Sequence, residues 1–239
     1  YYLGWAAALV LQELTGIPAR GMPASELWLS PKSAYTTGKT LLVPVSRSGY
    51  TTETLRACET FLEAGRGDIL TFSCYGEKPL AQMGKVNIVL PSGQEESVAQ
   101  TRAFSTLYLG TVAFAALWAG RNDLVGMLPQ LYVTAERMLK EYAGLAAEWG
   151  KNMFLDRFYF LGSGLRYPLA CELSLKMKEM SLSHSEPFHF LEFRHGPKSM
   201  VTESTLVVGL LSEQNRSYEE AVLQDMRALG GNILTIGET

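Results

Sequence analysis

The sequence predicts an α/β protein made of two similar three-layer domains, each a parallel sheet with helices on both faces. Three observations carry this. Short apolar runs bounded by polar residues, the pattern of strands buried on both faces, alternate with stretches of helical periodicity. Their order, strand, helix, strand, helix, strand, is that of a parallel sheet covered by its crossover helices. Finally, Leu41 to Phe72 and Leu206 to Ile236 share the order apolar strand, Ser-containing polar loop, helix, Gly-rich turn, strand, about 165 residues apart, the mark of a duplicated unit.

Element by element, Tyr2, Ala6, Leu9, Val10 and Leu14 fall on one helical face, and Gly16-Ile17-Pro18 ends that helix. Thr40 to Val45 reads as a buried strand with Pro44 near its end, because proline cannot donate to a ladder. Ser46 to Glu53 is a polar loop with Gly49, followed by Leu55, Cys58, Phe61 and Leu62 at helical spacing up to Gly65. Asp68 to Phe72 and Val86 to Leu90 are two more strands predicted to be buried, with a short helical stretch at Pro79 to Met83 between them.

Val98 to Trp149 reads as helices broken at Arg121-Asn122-Asp123. Arg157 to Leu161 is a strand running into Gly162-Ser163-Gly164, and Pro168 to Met180 is a helix. Leu206 to Leu211 is a strand, Tyr218 to Leu229 a helix, and Ile233 to Ile236 the last strand. The repeat puts the first domain at 1–150 and the second at 151–239. At that offset the counterpart of Phe158 to Gly164 falls before Tyr1. The first domain is thus expected to lack its opening strand and glycine loop, and the second to be incomplete beyond Thr239.

Composition narrows the function. The 239 residues are 47% apolar, enough for a substantial core, and 21 Lys+Arg face 24 Asp+Glu with no basic run. Neither a nucleic-acid footprint nor a basic membrane patch is expected. The longest apolar stretch, Thr111 to Gly120, is too short to cross a bilayer, and no basic start opens a signal peptide. Cys58, Cys74 and Cys171 are an odd count without a CxxC pair, which argues against a disulfide framework or a zinc site and for a reducing, cytoplasmic setting. No metal is expected.

Three groups of residues can carry chemistry. Ser46, Ser48 and Thr51, with Arg47 and Gly49, sit between a parallel strand and a helix N-terminus, where N–H groups and the helix dipole favour an anion such as phosphate. The same hydroxyls could simply cap the helix. Gly162-Ser163-Gly164 is a second glycine loop, but no acidic residue follows at dinucleotide spacing. On the next helix Glu172, Lys176 and Glu179 share one face, as a reactive set or as a solvated salt-bridge ladder. All three histidines follow, at 184, 189 and 195, and His195-Gly196-Pro197 favours a turn that presents an imidazole. His184 and His189 read as structural.

Four blocks, Ser46 to Thr54, Ser97 to Phe104, Glu172 to Glu179 and Glu192 to Pro197, together resemble the sugar isomerase (SIS) domain superfamily of phosphosugar-binding proteins in its tandem, flavodoxin-like form. The likeness is to the isomerase half of glucosamine-fructose-6-phosphate aminotransferase and to stand-alone glucosamine-6-phosphate and galactosamine-6-phosphate deaminase/isomerases. The spacing around Gln100 and Arg102 leans to the stand-alone group. The resemblance implies a sugar phosphate as ligand, held through Ser46, Ser48 and Thr51, with Arg47 lining the sugar pocket and Val98, Ala99 and Gln100 as a second contact. It implies that Glu179 moves a proton between C1 and C2, that Lys176 lies beside it, and that His195 opens the sugar ring from a neighbouring subunit of a homodimer.

The implied reaction is aldose-ketose isomerisation of a hexose or aminohexose 6-phosphate coupled to amination or deamination at C2, without metal or organic cofactor. The alternative is a phosphosugar sensor, which needs the hydroxyl loop but neither Glu179 nor His195. A silent half paired with an active subunit is a third reading. The family's further phosphate-binding Ser would precede Tyr1, and its Schiff-base lysine would follow Thr239.

Overall fold

The computed structural model describes residues 1–238. Contacts divide the chain into two compact units, Tyr1–Arg121 and Asn122–Thr239. Each is an α/β unit whose strands pair in parallel.

In the first unit, helix α1 (Tyr2–Thr15) ends at Gly16, whose left-handed φ of 71° returns its N–H to the Gln12 carbonyl. Two single-turn helices follow, α2 (Glu26–Leu29) and α3 (Pro31–Ala34). Strand β1 (Thr40–Leu42) and strand β2 (Val45–Ser46) are one line in unchanged register along β3 (Gly67–Ser73). The line is interrupted at Val43-Pro44, where proline has no N–H to give, although the Pro44 carbonyl still accepts from Phe72 at 3.0 Å. Helix α4 (Thr52–Glu63) connects β2 to β3, and β4 (Val86–Val89) pairs with the other side of β3.

The central strand shows how the layers arise. Successive side chains of β3 alternate faces, so Leu70 and Phe72 join Leu3 of α1 and Leu107 of α5 (Arg102–Trp118), while Ile69 joins Leu27 of α2 and Phe61 of α4. Of the strands in this unit only β3 is buried along most of its length. Among the described residues, β1, β2 and β4 have a strand neighbour on one side only. This corrects the expectation that the strands at 40–45 and 86–90 are wholly buried: Leu41 is 38% exposed and Val86 52%.

The second unit begins with α6 (Asn122–Gly150), ahead of the boundary expected after residue 150; Trp149, at its end, packs with Leu155, Phe160 and Leu206. Strand β5 (Arg157–Gly162), helix α7 (Arg166–Ser181), strand β6 (His184–His189), the single turn α8 (Phe190–Phe193), strand β7 (Thr205–Leu210), helix α9 (Arg216–Ala228) and strand β8 (Asn232–Ile236) complete it. The sheet order is β6-β5-β7-β8. Tyr159, Leu161 and Val207 face α8 and α9 through Phe193, Val222 and Met226, whereas Phe160, Leu206 and Val208 face Ala170 of α7. All six residues of β7 are buried because the strand lies between β5 and β8.

Strand β6 was not anticipated. Its sequence, His-Ser-Glu-Pro-Phe-His, has no apolar run, and its Pro187 is tolerated because β6 is an edge strand of the sheet. The helical region expected from Val98 starts four residues later, at Arg102, and its break lies at 119–121, where Gly120 has a φ of 67°, so that Asn122 and Asp123, expected in the break, open the next helix instead.

Candidate functional site

In the first unit the candidate residues lie where β2 passes into α4. Ser46 is buried, and its Oγ lies 3.0 Å from Thr51 Oγ1; Ser48 Oγ is 3.4 Å from the same atom. Thr51 occupies the N-cap position of α4, yet its side chain makes no cap hydrogen bond. The three hydroxyls therefore cluster with one another, and Ser48 Oγ also accepts the Tyr50 N–H at 3.2 Å, while Thr51 leaves the helix end without a side-chain cap. Gly49 lets the loop turn: its φ is 62°, and a Cβ there would meet the Lys78 Cβ at 3.1 Å. The loop is tied to the sheet by Cys74 N–H donating to the Arg47 carbonyl and by Leu80 N–H donating to the Gly49 carbonyl, both at 3.1 Å.

Arg47 reaches out of this loop, and its guanidinium donates to the Ser97 carbonyl at 2.5 Å. That bond brings the segment holding Val98, Ala99 and Gln100 beside the hydroxyl loop. Val98 is 92% exposed, while Ala99 and Gln100 are half-buried. Sequence reasoning missed Glu95, which organises this segment. Its carboxylate accepts N–H bonds from Thr101 at 3.1 Å, Arg102 at 3.2 Å and Ala103 at 3.0 Å. Burial tends to raise the Glu95 pKa, but those backbone hydrogen bonds, with the Arg47 charge, bring it below the usual carboxylate value. A carboxylate six residues ahead of the N-cap lies outside the spacing of a capping box, so the sequence offered no signal.

In the second unit Glu172, Lys176 and Glu179 come together on α7. Lys176 Nζ is 3.2 Å from Glu172 Oε1 and 2.6 Å from Glu179 Oε2. The Lys176 and Glu172 side chains are only 17% and 12% exposed, so this is not a solvated ladder; Glu179 is more open, at 38%. Burial pushes the Lys176 pKa down, but hydrogen bonds and charge from both carboxylates outweigh it and the net shift is upward. The lysine is a fixed cation. Gly162 allows α7 to start hard against β5: a Cβ there would lie 2.5 Å from the Arg166 carbonyl oxygen.

His195 is exposed on the turn after α8, with its N–H bonded to the Glu192 carbonyl at 3.0 Å and Gly196 next to it at φ 120°. Its neighbour Arg194 is anchored to Asp225 of α9 at 2.7 Å. His184 and His189 lie at the two ends of β6. His189 stacks on Tyr167 at 3.6 Å, and burial lowers its pKa. Among the described residues, the second unit has no open counterpart of the hydroxyl loop at its equivalent turn. At the equivalent turn after β7, Ser212 donates its N–H at 2.6 Å and its hydroxyl at 3.0 Å to the buried carboxylate of Glu219.

The three cysteines are free and buried, and burial raises their pKa values, for Cys58 to about 12. Among the described residues, no helix is long and apolar enough to cross a membrane, and no group of three or more His, Cys, Asp or Glu is placed to hold a metal.

The SIS domain profile matches residues 1–117 and 155–238. The chain belongs to the SIS domain family. Among curated relatives of this SIS chain are the isomerizing glutamine–fructose-6-phosphate aminotransferases of Pseudomonas putida, 31% identical over 249 residues, and of Xylella fastidiosa, 29% identical over 252. Each match takes in 100% of the SIS chain but 40% of the relative, so the chain spans well under half the length of those enzymes. Among solved structures, the glucosamine-6-phosphate deaminase of Thermotoga maritima superposes with a TM-score of 0.83 at 28% identity, covering 100% of this chain and 73% of that one. The tagatose-6-phosphate ketose/aldose isomerase of Escherichia coli shares the fold, with a TM-score of 0.81 at 20% identity over 100% of this chain and 72% of its own.

Proposed function

We propose that this SIS chain is a phosphosugar isomerase acting on a hexose or aminohexose 6-phosphate, with aldose-ketose isomerisation coupled to amination or deamination at C2. One observation carries the reading: Lys176 stands as a fixed cation between Glu172 and the more open Glu179. A sensor needs no such set.

In this reading the Ser46, Ser48 and Thr51 hydroxyls hold the phosphate, and Arg47 with Val98, Ala99 and Gln100 borders the sugar. Glu179 removes the proton from the carbon beside the carbonyl and returns it to the neighbouring carbon, through an enediol or its amino counterpart. A carboxylate in that role contributes about 10²- to 10⁴-fold. Lys176 keeps the carboxylate directed and offers charge to the developing oxyanion. In the deaminating direction the C2 imine formed by the shift takes up water and releases ammonia, so no external oxidant or reductant is consumed. His195 serves ring opening, reaching the site of a neighbouring subunit in a homodimer of cytoplasmic location. The exposed Leu131, Tyr132, Leu139 and Tyr142 of α6 support a subunit contact.

The test is a thermal-shift screen with glucosamine 6-phosphate, galactosamine 6-phosphate, fructose 6-phosphate and free glucosamine, followed by an assay of ammonia release and ketose formation for each binder. Stabilisation by a 6-phosphate but not by free glucosamine, with turnover, supports the reading. Binding without turnover of any of them, including with added ammonia, overturns it in favour of a sensor.

A further inference from the structure

We propose that Glu95 is a positioning residue for the sugar end of the ligand, acting through the segment 97–100 rather than by touching substrate; this rests on the function proposed above. Helix α5 carries Thr101 at its N-cap, but the Thr101 side chain makes no cap bond. The Glu95 carboxylate does that work from outside the helix. Oε1 accepts from the Thr101 and Ala103 amides, and Oε2 from the Arg102 amide at 3.2 Å and the Thr101 hydroxyl at 3.4 Å.

The intervening chain is pinned elsewhere as well. Arg47 holds the Ser97 carbonyl, the Ser97 hydroxyl donates to the Ala99 carbonyl at 2.8 Å, and Gln94 Nε2 donates to the Cys74 carbonyl at 2.8 Å just beyond β3. The Arg102 guanidinium returns to the Gln94 carbonyl. Val98, 92% exposed and without packing to hold it, is placed by these polar ties alone. Arg47 fastens the near end of the segment to the phosphate loop and Glu95 fastens the far end to α5. Losing Glu95 frees one end of the sugar contact while the 46–51 loop keeps its own hydrogen bonds.

The effect should therefore divide between the two ends of the ligand. Glu95→Ala is expected to lower kcat/KM for the sugar phosphate by about 10²-fold, the cost of a small misplacement of a positioning group. Inhibition by inorganic phosphate, which reports the hydroxyl loop alone, should stay within about threefold of wild type, near a factor that corresponds to under 1 kcal/mol. Glu95→Gln keeps an acceptor oxygen and should recover about tenfold of the loss, since a neutral acceptor is roughly half as strong as a charged one. Hydrogen exchange at the Thr101, Arg102 and Ala103 amides gives a readout independent of turnover: slow in the wild-type chain, fast in Glu95→Ala.

Unprotected amides in the wild type, an unchanged kcat/KM in Glu95→Ala, or phosphate inhibition weakening in parallel with kcat/KM would each overturn the role of Glu95. Protected amides in a wild-type chain that turns over no sugar phosphate would instead overturn the functional reading, and this positioning role with it.

Discussion

Lys176 sits 2.6 Å from Glu179 and 3.2 Å from Glu172, one ammonium shared by two carboxylates on a single face of α7. The arrangement has a pH signature. Burial opposes the charge, the two carboxylates more than compensate, and the folded-state pKa of Lys176 is raised above 10.5. A group raised in the folded state stabilises fully below its unfolded pKa and loses that contribution as pH climbs through the folded value. Lys176→Met should therefore melt below the wild type at neutral pH, with the gap closing only above about pH 10.5. Melting curves of both proteins from pH 7 to 11 measure it; a gap already gone at pH 9 would contradict the account.

Thr51→Val removes a hydroxyl of the 46–51 cluster while keeping the shape of the side chain. Because Ser46 and Ser48 both point their oxygens at Thr51 Oγ1, all three should be felt by a bound anion. A ligand at about 100 times its dissociation constant adds about 2.7 kcal/mol of stability. Thr51→Val should lose most of the stabilisation that inorganic phosphate gives the wild type, whereas Ser212→Ala, at the equivalent turn after β7, should keep it. Equal loss in both variants would argue against the 46–51 loop as the phosphate site.

Glu219 fills the turn after β7 with a carboxylate of the chain itself, receiving both the amide and the hydroxyl of Ser212 while only 1% exposed. Glu219→Ala leaves those buried donors unpaired, at about 1–3 kcal/mol. A lower urea midpoint with unchanged kcat per folded molecule is the expected result. Loss of kcat in a fully folded sample would show that this turn takes part in the reaction.

What could be read in advance follows from which interactions are local. The apolar strands at 157–161 and 206–211 and the helix periodicities declare themselves, because burial on two faces or on one stripe leaves a pattern in consecutive residues. Burial itself depends on neighbours: Leu41 and Val86 look like core residues, yet their strands flank β3 on one side only. Strand β6 is polar and contains Pro187, and it forms by ladder pairing with β5, which no hydropathy pattern records. At the site, the grouping of Glu172, Lys176 and Glu179 was legible from helical spacing. Whether the Ser and Thr hydroxyls of the loop capped the helix was not, until Thr51 turned toward Ser46 and Ser48. Glu95 was silent because three of its partners are backbone amides, which carry no residue identity.

The most direct test of the central claim follows proton exchange at the reacting carbons. In D2O, the wild-type chain incubated with whichever sugar phosphate stabilises it should, on the proposed function, wash deuterium into C1 or C2, detected by NMR. Glu179→Gln should bind the same ligand with a similar thermal shift and exchange about 10²- to 10⁴-fold more slowly. Exchange at the wild-type rate in Glu179→Gln would contradict the account, since some other group would then be moving the proton.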